Sequence, residues 1–239
     1  VGSEMCIRDR LDAIAGTRSA ATLGEGLAGA RIGVLRSFFD GPAVRATDPV
    51  IATVEHALSL LGELGATVAE ASPPTPHDLD ACGRVILLAE AFANHEAQLR
   101  ADPSVYGALA RHRFALGAFL SAADLLHAQR RRMVLAAELD ALFDWHDLLL
   151  CAAEVSAAPR FDDAVSAESF PFVGQPSLRI PFNLTGHPAL SLPAGFDADG
   201  MPLAVQIIAR RGAEARLLAA AQALEARLGL RDARPPRFP

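Results

Sequence analysis

The fold class of this chain is decided by three consecutive segments: Arg31-Ile-Gly-Val-Leu35, the stretch that opens at Asp48-Pro49, and Ala66-Thr-Val-Ala-Glu-Ala71. The first and third are short runs of strand type. In the second, Pro49 fits the first turn of a helix, Asp48 can cap its free N–H groups, and Gly65 ends it. A strand–helix–strand unit predicts parallel strand pairing, so we expect an α/β fold.

The rest of the sequence alternates between helical and strand patterns. Helices are predicted over residues 77–100, 108–120, 121–145 and 212–228. Strands are predicted over residues 148–152, 189–193 and 203–208. The third helix opens with the capping pattern Ser121-Ala-Ala-Asp124, Asp197-Ala-Asp-Gly200 supplies a hairpin turn, and residues 153–176 form a loop. We therefore expect a mixed β-sheet covered by helices.

The composition favours a globular protein and argues against several partners. Of the 239 residues, 51% are hydrophobic and 21% are charged, which allows a sizeable core. The formal net charge of -6 argues against nucleic acid, because binding it requires a basic face. No apolar run approaches the roughly 20 residues of a membrane span, and an odd number of widely spaced cysteines predicts no disulfide framework. We expect a cytoplasmic protein with no membrane partner.

Motifs that would indicate a cofactor, a metal or a common hydrolase nucleophile are missing or misplaced in the sequence. Gly24-Glu-Gly-Leu-Ala-Gly29 has the GxGxxG spacing, but it precedes a strand where a nucleotide loop would follow one. The seven histidines form neither HExxH nor a zinc-finger spacing, and no Gly-x-Ser-x-Gly turn is present. Cys82 and Cys151 lie in apolar surroundings, which raise a thiol's pKa. We predict no metal, no cofactor and unreactive thiols.

The first ten residues have no amphipathic period that joins them to the segment after them. They resemble a leader that recurs in open reading frames predicted from environmental sequence assemblies, so residues 1–10 are interpreted as a non-native leader. Leu11-Asp-Ala-Ile-Ala-Gly16 is typical of the last turn of a helix whose beginning is missing. We expect residues 11–239 to be the C-terminal portion of a single domain, and the chain to be a fragment.

The most informative stretch is Arg179-Ile-Pro-Phe-Asn-Leu-Thr-Gly-His-Pro-Ala-Leu-Ser-Leu-Pro-Ala-Gly195, followed by Gly200-Met-Pro-Leu-Ala-Val-Gln-Ile-Ile208. It resembles the C-terminal core of the amidase signature family, where P-x-N-x-x-G-x-P-A-x-S-x-P precedes G-x-P-x-x-x-Q-x-I. Further resemblances occur in the same order along residues 11–230, among them Glu90-Ala91, Tyr106-Gly107 and Asp147-Leu-Leu-Leu150. The resemblance implies an incomplete amidase-signature-like fold.

This family hydrolyses C–N amide bonds with a Ser–cis-Ser–Lys triad, in which a neutral lysine activates the serine through a bridging serine. The resemblance places the lysine and a Gly/Ser-rich oxyanion loop in the N-terminal half of the family. Nothing in this sequence matches either, and the chain contains no lysine at all. A guanidinium cannot take the place of that base, because its pKa stays above roughly 12. The resemblance therefore implies an amidase as parent protein, no catalytic residue in this chain, and no activity for the chain alone.

The resemblance also points to residues near a substrate pocket: Phe170, Phe172, Arg179 and Asn183. Arg179 would hold a substrate carboxylate bidentately, whereas Asn183 has the alternative of bonding backbone in a turn.

A fifth candidate, Arg132, belongs to the run Arg130-Arg-Arg132, whose members spread around roughly 300° of a helix, so at least one is expected to face inward or reach a partner. By spacing, Arg132 matches an arginine that holds glutamine in the glutaminase component of tRNA-dependent amidotransferases. Pro176 stands where that component has an acid, which argues against glutamine and for another small-molecule amide.

Two other functions stay open from the sequence. One is a non-catalytic binding or regulatory protein that evolved from an amidase and lost its triad. The other is an intact enzyme that uses an unrelated set of residues. A homodimer of the full-length protein is an assembly that the sequence leaves open.

Overall fold

The structure, a computed structural model, describes residues 26–159 and 176–233, and it divides into two units. The sheet unit consists of the described residues within Val1–Pro73, Leu139–Ala158 and Gly186–Pro239. The helical unit consists of those within Pro74–Glu138 and Pro159–Thr185. The predicted helix end at residues 11–16 and the predicted leader lie outside the described residues.

The sheet has five strands in the order β2-β1-β3-β5-β4. They are β1 (Arg31–Val34), β2 (Thr67–Glu70), β3 (Leu148–Ala152), β4 (Ala189–Phe196) and β5 (Pro202–Ala209). β1 pairs in parallel with β2 and with β3, whereas β5 is antiparallel to both β3 and β4. The predicted α/β class and the mixed sheet are confirmed, and the parallel pair is the one that the strand–helix–strand pattern predicted.

Helix α1 (Asp48–Glu63) connects β1 to β2 and packs on β4 and β5. Its buried residues include the predicted apolar face, which comprises Val50, Val54, Leu58 and Leu61. Gly65 follows the helix with a φ of +88°, a conformation that glycine adopts without steric cost. These features explain why the helix forms where its sequence pattern indicates.

The predicted capping role of Asp48 is wrong. The helix is preceded by Thr47 as its N-cap residue, and no side chain makes the capping hydrogen bond. Asp48 is instead the first helical residue, and its carboxylate accepts a hydrogen bond from Arg45 (Nη2–Oδ1 3.3 Å). An acidic side chain in the first turn still interacts favourably with the helix dipole.

The core of the sheet unit is centred on β3, all five residues of which are buried. Helix α6 (Glu214–Leu228) packs on β4 and β5 and ends at Gly229, which has a φ of +66°. Asp147 precedes β3 and accepts hydrogen bonds from the backbone N–H of Arg31 (2.9 Å) and from its guanidinium. These hydrogen bonds lower the pKa of Asp147. The carboxylate thereby fixes the start of β1 beside the start of β3.

The β4–β5 hairpin closes through the predicted turn residues. The Asp197 carboxylate accepts from the backbone N–H groups of Asp199 (3.0 Å) and Met201 (2.8 Å). Gly200 has a φ of +78°, which side chains rarely allow. The predicted hairpin is confirmed, because an Asx-type turn and a left-handed glycine occur in the order that the sequence indicates.

The helical unit contains α2 (Pro76–Ala101), α3 (Ala108–Leu116), most of α4 (Ala122–Leu142) and α5 (Ile180–Thr185). The capping pattern is confirmed: the Asp124 N–H donates to Ser121 Oγ (3.1 Å), and the Ser121 N–H donates to Asp124 Oδ2 (2.9 Å). The predicted helix over 108–120 is shorter than expected, because a 3₁₀ turn at Gly117–Phe119 replaces its last residues. Within the described residues, no helix is both long and apolar enough to cross a bilayer.

Candidate functional site

Helix α5 is short, and hydrogen bonds from other segments hold both of its ends. On its N-terminal side, the buried Asp80 of α2 accepts from the Ser177 N–H (2.9 Å) and pairs with Arg84 (2.5 Å). At its C-terminal end, Arg132 Nε of α4 donates to the Leu184 carbonyl (2.7 Å). A cation at a helix C-terminus is favourable both for the unpaired carbonyls and for the helix dipole. The six residues of α5 therefore depend on α2 and α4 for their position.

A cavity of about 410 Å³ lies within the helical unit. One face of α2 lines it at the helical spacing i, i+3, i+4, i+7, and the other walls come from α5 and from Arg132. The lining residues are Gly83, Ile86, Leu87, Glu90, Arg132, Ile180, Asn183 and Leu184. Its walls are mainly apolar and its charged groups are few, which is the composition of a small-molecule site. We call it the helical-unit cavity.

Gly83 sets the distance between α2 and α5. A Cβ on this residue would overlap Ile180 Cγ2 and would lie 3.8 Å from Leu184 Cβ. A side chain at this position would therefore displace the helix that carries three of the lining residues. Glycine in a helix interior costs roughly 0.5–1 kcal/mol relative to alanine, so its presence here has a packing reason.

The predicted site residues are placed differently from one another. Arg132 and Asn183 both line the helical-unit cavity. The Asn183 side chain also donates to the Arg179 carbonyl (3.0 Å), which is the backbone bond that the structural alternative predicted. Arg179 is exposed and is not among the lining residues, while Phe170 and Phe172 lie outside the described residues. A substrate role for each of these five residues stays a prediction.

Glu90 is the residue that sequence reasoning did not propose for the site. It follows Gly83 by seven positions, so both lie on the same side of α2 and line the same cavity. The signal that could have found it is the glycine inside a long helix, followed at helical spacing by apolar residues and one acid. In the sequence, Glu90 stood out only as part of the dipeptide that resembles the family.

The run Arg130-Arg-Arg132 behaves as its helical spread predicts. Arg132 faces inward onto the Leu184 carbonyl, and Arg131 pairs with Asp78 (3.1 Å) and Glu138 (3.8 Å). The three side chains therefore form no common basic patch.

A second polar cluster lies in the sheet unit around the buried His187. Its Nε2 lies 3.2 Å from Asp140 Oδ1, and its ring stacks on Phe143 with a centroid distance of 5.4 Å. Asp140 also pairs with Arg211. Burial lowers the pKa of His187 below its ordinary value, although Asp140 acts in the opposite direction. The neutral imidazole is therefore the form that the folded protein favours.

This cluster predicts a pH dependence of stability. The folded protein resists protonating His187 while the unfolded chain does not, so the free energy of unfolding should fall as pH drops below about 6.5 toward the lower folded pKa. The expected slope is at most about 1.4 kcal/mol per pH unit. Urea unfolding at pH 7.5, 6.5 and 5.5 should show that His187→Gln flattens this dependence. An equal slope in the wild type and the variant would assign the effect to other histidines, with His146 as the first control.

The two described cysteines are buried, as the apolar context predicted. Cys82 Sγ donates to the Ala128 carbonyl (3.1 Å), and burial raises the pKa of its thiol. Burial also raises the pKa of Cys151. Neither thiol has the character of a nucleophile. In the part of the chain that the structure describes, no group of three His, Cys, Asp or Glu residues is arranged to hold a metal ion.

The family model described as Amidase matches residues 5–218 of this chain. The chain belongs to the amidase family. This amidase-family chain is 32% identical over 222 residues to the A chain of the glutamyl-tRNA(Gln) amidotransferase of Prochlorococcus marinus (strain MIT 9303), a match that covers 83% of this chain and 45% of that protein. It is also 32% identical over 189 residues to an amidase of Pseudomonas putida, a match that covers 76% of this chain and 40% of that protein.

Solved structures show the same family and fold. The crystal structure of an amidase matches with a TM-score of 0.80 and 26% identity, over 95% of this chain and 51% of that one. A protein of a vestigial complex connected with the origins of an s-triazine catabolic enzyme matches with a TM-score of 0.74 and 30% identity, over 87% of this chain and 45% of that one. The amidase-family chain thus spans about half the length of the relatives that it matches.

Proposed function

We propose that this chain is part of an amidase that hydrolyses a C–N amide bond of a small molecule through a serine nucleophile. The observation that carries the proposal is the family match over residues 5–218. The amidase of Pseudomonas putida supports the reaction class, because it is a relative whose name states that activity. The parent protein is proposed to act in the cytoplasm, and a homodimer is one assembly open to it.

The serine and its base are proposed to lie outside this chain. Serine needs a base that accepts its proton near neutral pH, and in the family that it resembles this base is a lysine. All 22 basic residues of the chain, counting lysine and arginine together, are arginines. An arginine holds its proton across the physiological range, so it serves in binding and not as the base.

In this proposal the helical-unit cavity forms the substrate-binding part of the active site. Arg132 spends its Nε on the Leu184 carbonyl, and its two Nη groups carry four further N–H donors. Asn183 donates through Nδ2 to Arg179, and its amide oxygen is an acceptor for a substrate N–H. Arg179, Phe170 and Phe172 are kept as further substrate-binding candidates, as the resemblance implies.

The first test compares this chain with its parent. We expect the purified 239-residue chain to hydrolyse simple amides no faster than buffer, because it lacks the base. Sequencing the source DNA upstream of codon 11 should reveal an in-frame extension that encodes a lysine and a Gly/Ser-rich loop. The extended protein should hydrolyse amides, and replacing that lysine by alanine should abolish turnover.

Two results would contradict the proposal. Turnover by the 239-residue chain that survives re-purification would mean that an unrelated set of residues performs the chemistry. An authentic start codon near residue 11 with no upstream extension would instead indicate an amidase-derived protein without the triad.

A further inference from the structure

The helical-unit cavity carries two opposite charges at different positions along α2. Arg132 Nε is bonded to the Leu184 carbonyl, and Leu184 Cβ would lie 3.8 Å from a Cβ on Gly83, so the guanidinium is near the Gly83 end of the cavity. Glu90 lies seven residues beyond Gly83 on the same helix. At 1.5 Å of rise per residue, this spacing corresponds to roughly 10 Å. The cavity therefore has a cationic end and an anionic end.

The two charges do not neutralise each other within the described residues. The ion pairs in the described part of the helical unit join Arg84 to Asp80, Arg100 to Glu96, and Arg131 to Asp78 and Glu138. None of these pairs uses Glu90 or Arg132. Between these two side chains the walls are apolar, formed by Ile86, Leu87, Ile180 and Leu184. Charges beside apolar walls bind an opposite charge more strongly than charges in open water do.

From this arrangement we propose that the cavity selects a zwitterionic amide whose carboxylate binds Arg132 and whose ammonium binds Glu90. This inference rests on the proposed amidase function and adds a substrate class to it. Glu90 is the specificity-determining residue, because it is the group that distinguishes an amine-bearing amide from a neutral one. Asn183 lies on α5 between the neighbours Ile180 and Leu184 and supplies an acceptor for the central amide N–H.

The spacing also excludes a free α-amino acid as the preferred ligand. Such a molecule carries its ammonium and carboxylate on one carbon atom, so it cannot reach charges that lie roughly 10 Å apart along a helix. An extended chain spans about 3.3 Å per residue, so three residues match the distance. A linear amide of tripeptide length, with one charge at each end, fits the cavity.

Triglycine is a probe of this length, and calorimetric titration of the 239-residue chain measures its affinity without any need for catalysis. We expect N-acetylation, which removes the ammonium, to weaken binding about tenfold, and C-terminal amidation to weaken it by a similar factor. Glu90→Gln should weaken binding of triglycine about tenfold and leave the affinity for N-acetyl-triglycine unchanged. Glu96→Gln, on the same helix but paired with Arg100, is the matched control and should change neither affinity.

Three results would overturn the inference: no binding of any probe to the chain, equal affinities for the charged and capped probes, or an equal loss for all probes in Glu90→Gln. Glycine binding as tightly as triglycine would overturn the length requirement. These outcomes are distinct from failure of the amidase proposal, which is decided by the upstream sequence and by turnover of the extended protein. A charge preference in binding would stand even if that protein hydrolysed nothing.

Discussion

Leu149→Ala is expected to lower the free energy of unfolding by about 2–5 kcal/mol. Leu149 has no solvent exposure and lies in β3, which pairs with β1 on one side and β5 on the other. It is opposite Gly33 in the parallel register, and its Cδ2 would lie 2.7 Å from a Cβ on that glycine. The leucine therefore fills the space that Gly33 leaves, and truncating it opens a cavity in the centre of the sheet. Urea unfolding followed by circular dichroism measures the loss.

A double-mutant cycle tests this packing argument. Gly33→Ala alone should destabilise, because its methyl group would overlap Leu149 and also the ring of His146. Combined with Leu149→Ala, it should cost less than the sum of the two single changes, since the added methyl enters the vacated space. Val68→Ala, at an exposed position of β2, is the control and should change stability by about 0.5 kcal/mol or less. Strict additivity of the pair would contradict the proposed complementarity.

Gly117→Ala is expected to cost about 3 kcal/mol, at the upper end of the range for overpacked sites. An added Cβ would overlap the Leu88 carbonyl oxygen and Phe92 Cβ, and it would lie 2.9 Å from the Leu88 carbonyl carbon. Backbone atoms inside a helix cannot turn aside as the end of a side chain does. The 3₁₀ turn at Gly117–Phe119 would have to move away from α2. Hydrogen exchange of the α2 amides should rise in the variant.

The matched control is Gly62→Ala in α1, where a Cβ would meet no atom within 4 Å. Because alanine is the better helix former, this change should stabilise the protein by about 0.5–1 kcal/mol. The two substitutions are chemically identical and differ only in the space around them. A neutral Gly117→Ala would mean that the 3₁₀ turn accommodates the methyl group.

The secondary structure was predictable where local patterns agreed with burial. The limits of β3 agree with the prediction, and the four predicted apolar residues of α1 are all buried. The errors occurred at ends, where a single hydrogen bond decides the outcome. Asp48 has the right residue type for a cap, but the helix begins one residue earlier than a capping role requires. Helix α5 was not predicted, because six residues containing Pro181 show no helical period, and contacts with α2 and α4 hold them in place.

The candidate site was less predictable than the fold. Arg132 and Asn183 were found because they lie in segments that resemble a family, and no local pattern brings residues 51 positions apart into one cavity. Glu90 was missed because an acid on an exposed helix face is ordinarily a solvated charge. Its environment depends on Gly83, whose missing side chain admits Ile180, and that close approach is a tertiary fact.

The pairing of β1 with β3 has a consequence for the order in which the protein is made. Ile32 and Leu148 are register partners, yet the ribosome synthesises the whole segment Pro74–Glu138 between them. At roughly 5–20 residues per second, β1 and β2 wait on the order of ten seconds for β5 to arrive and complete the sheet. Two parallel strands and one helix are marginal alone, so the nascent chain presents apolar surface throughout that interval. Slower translation of the stretch that precedes β5 should therefore increase aggregation and the dependence on chaperones.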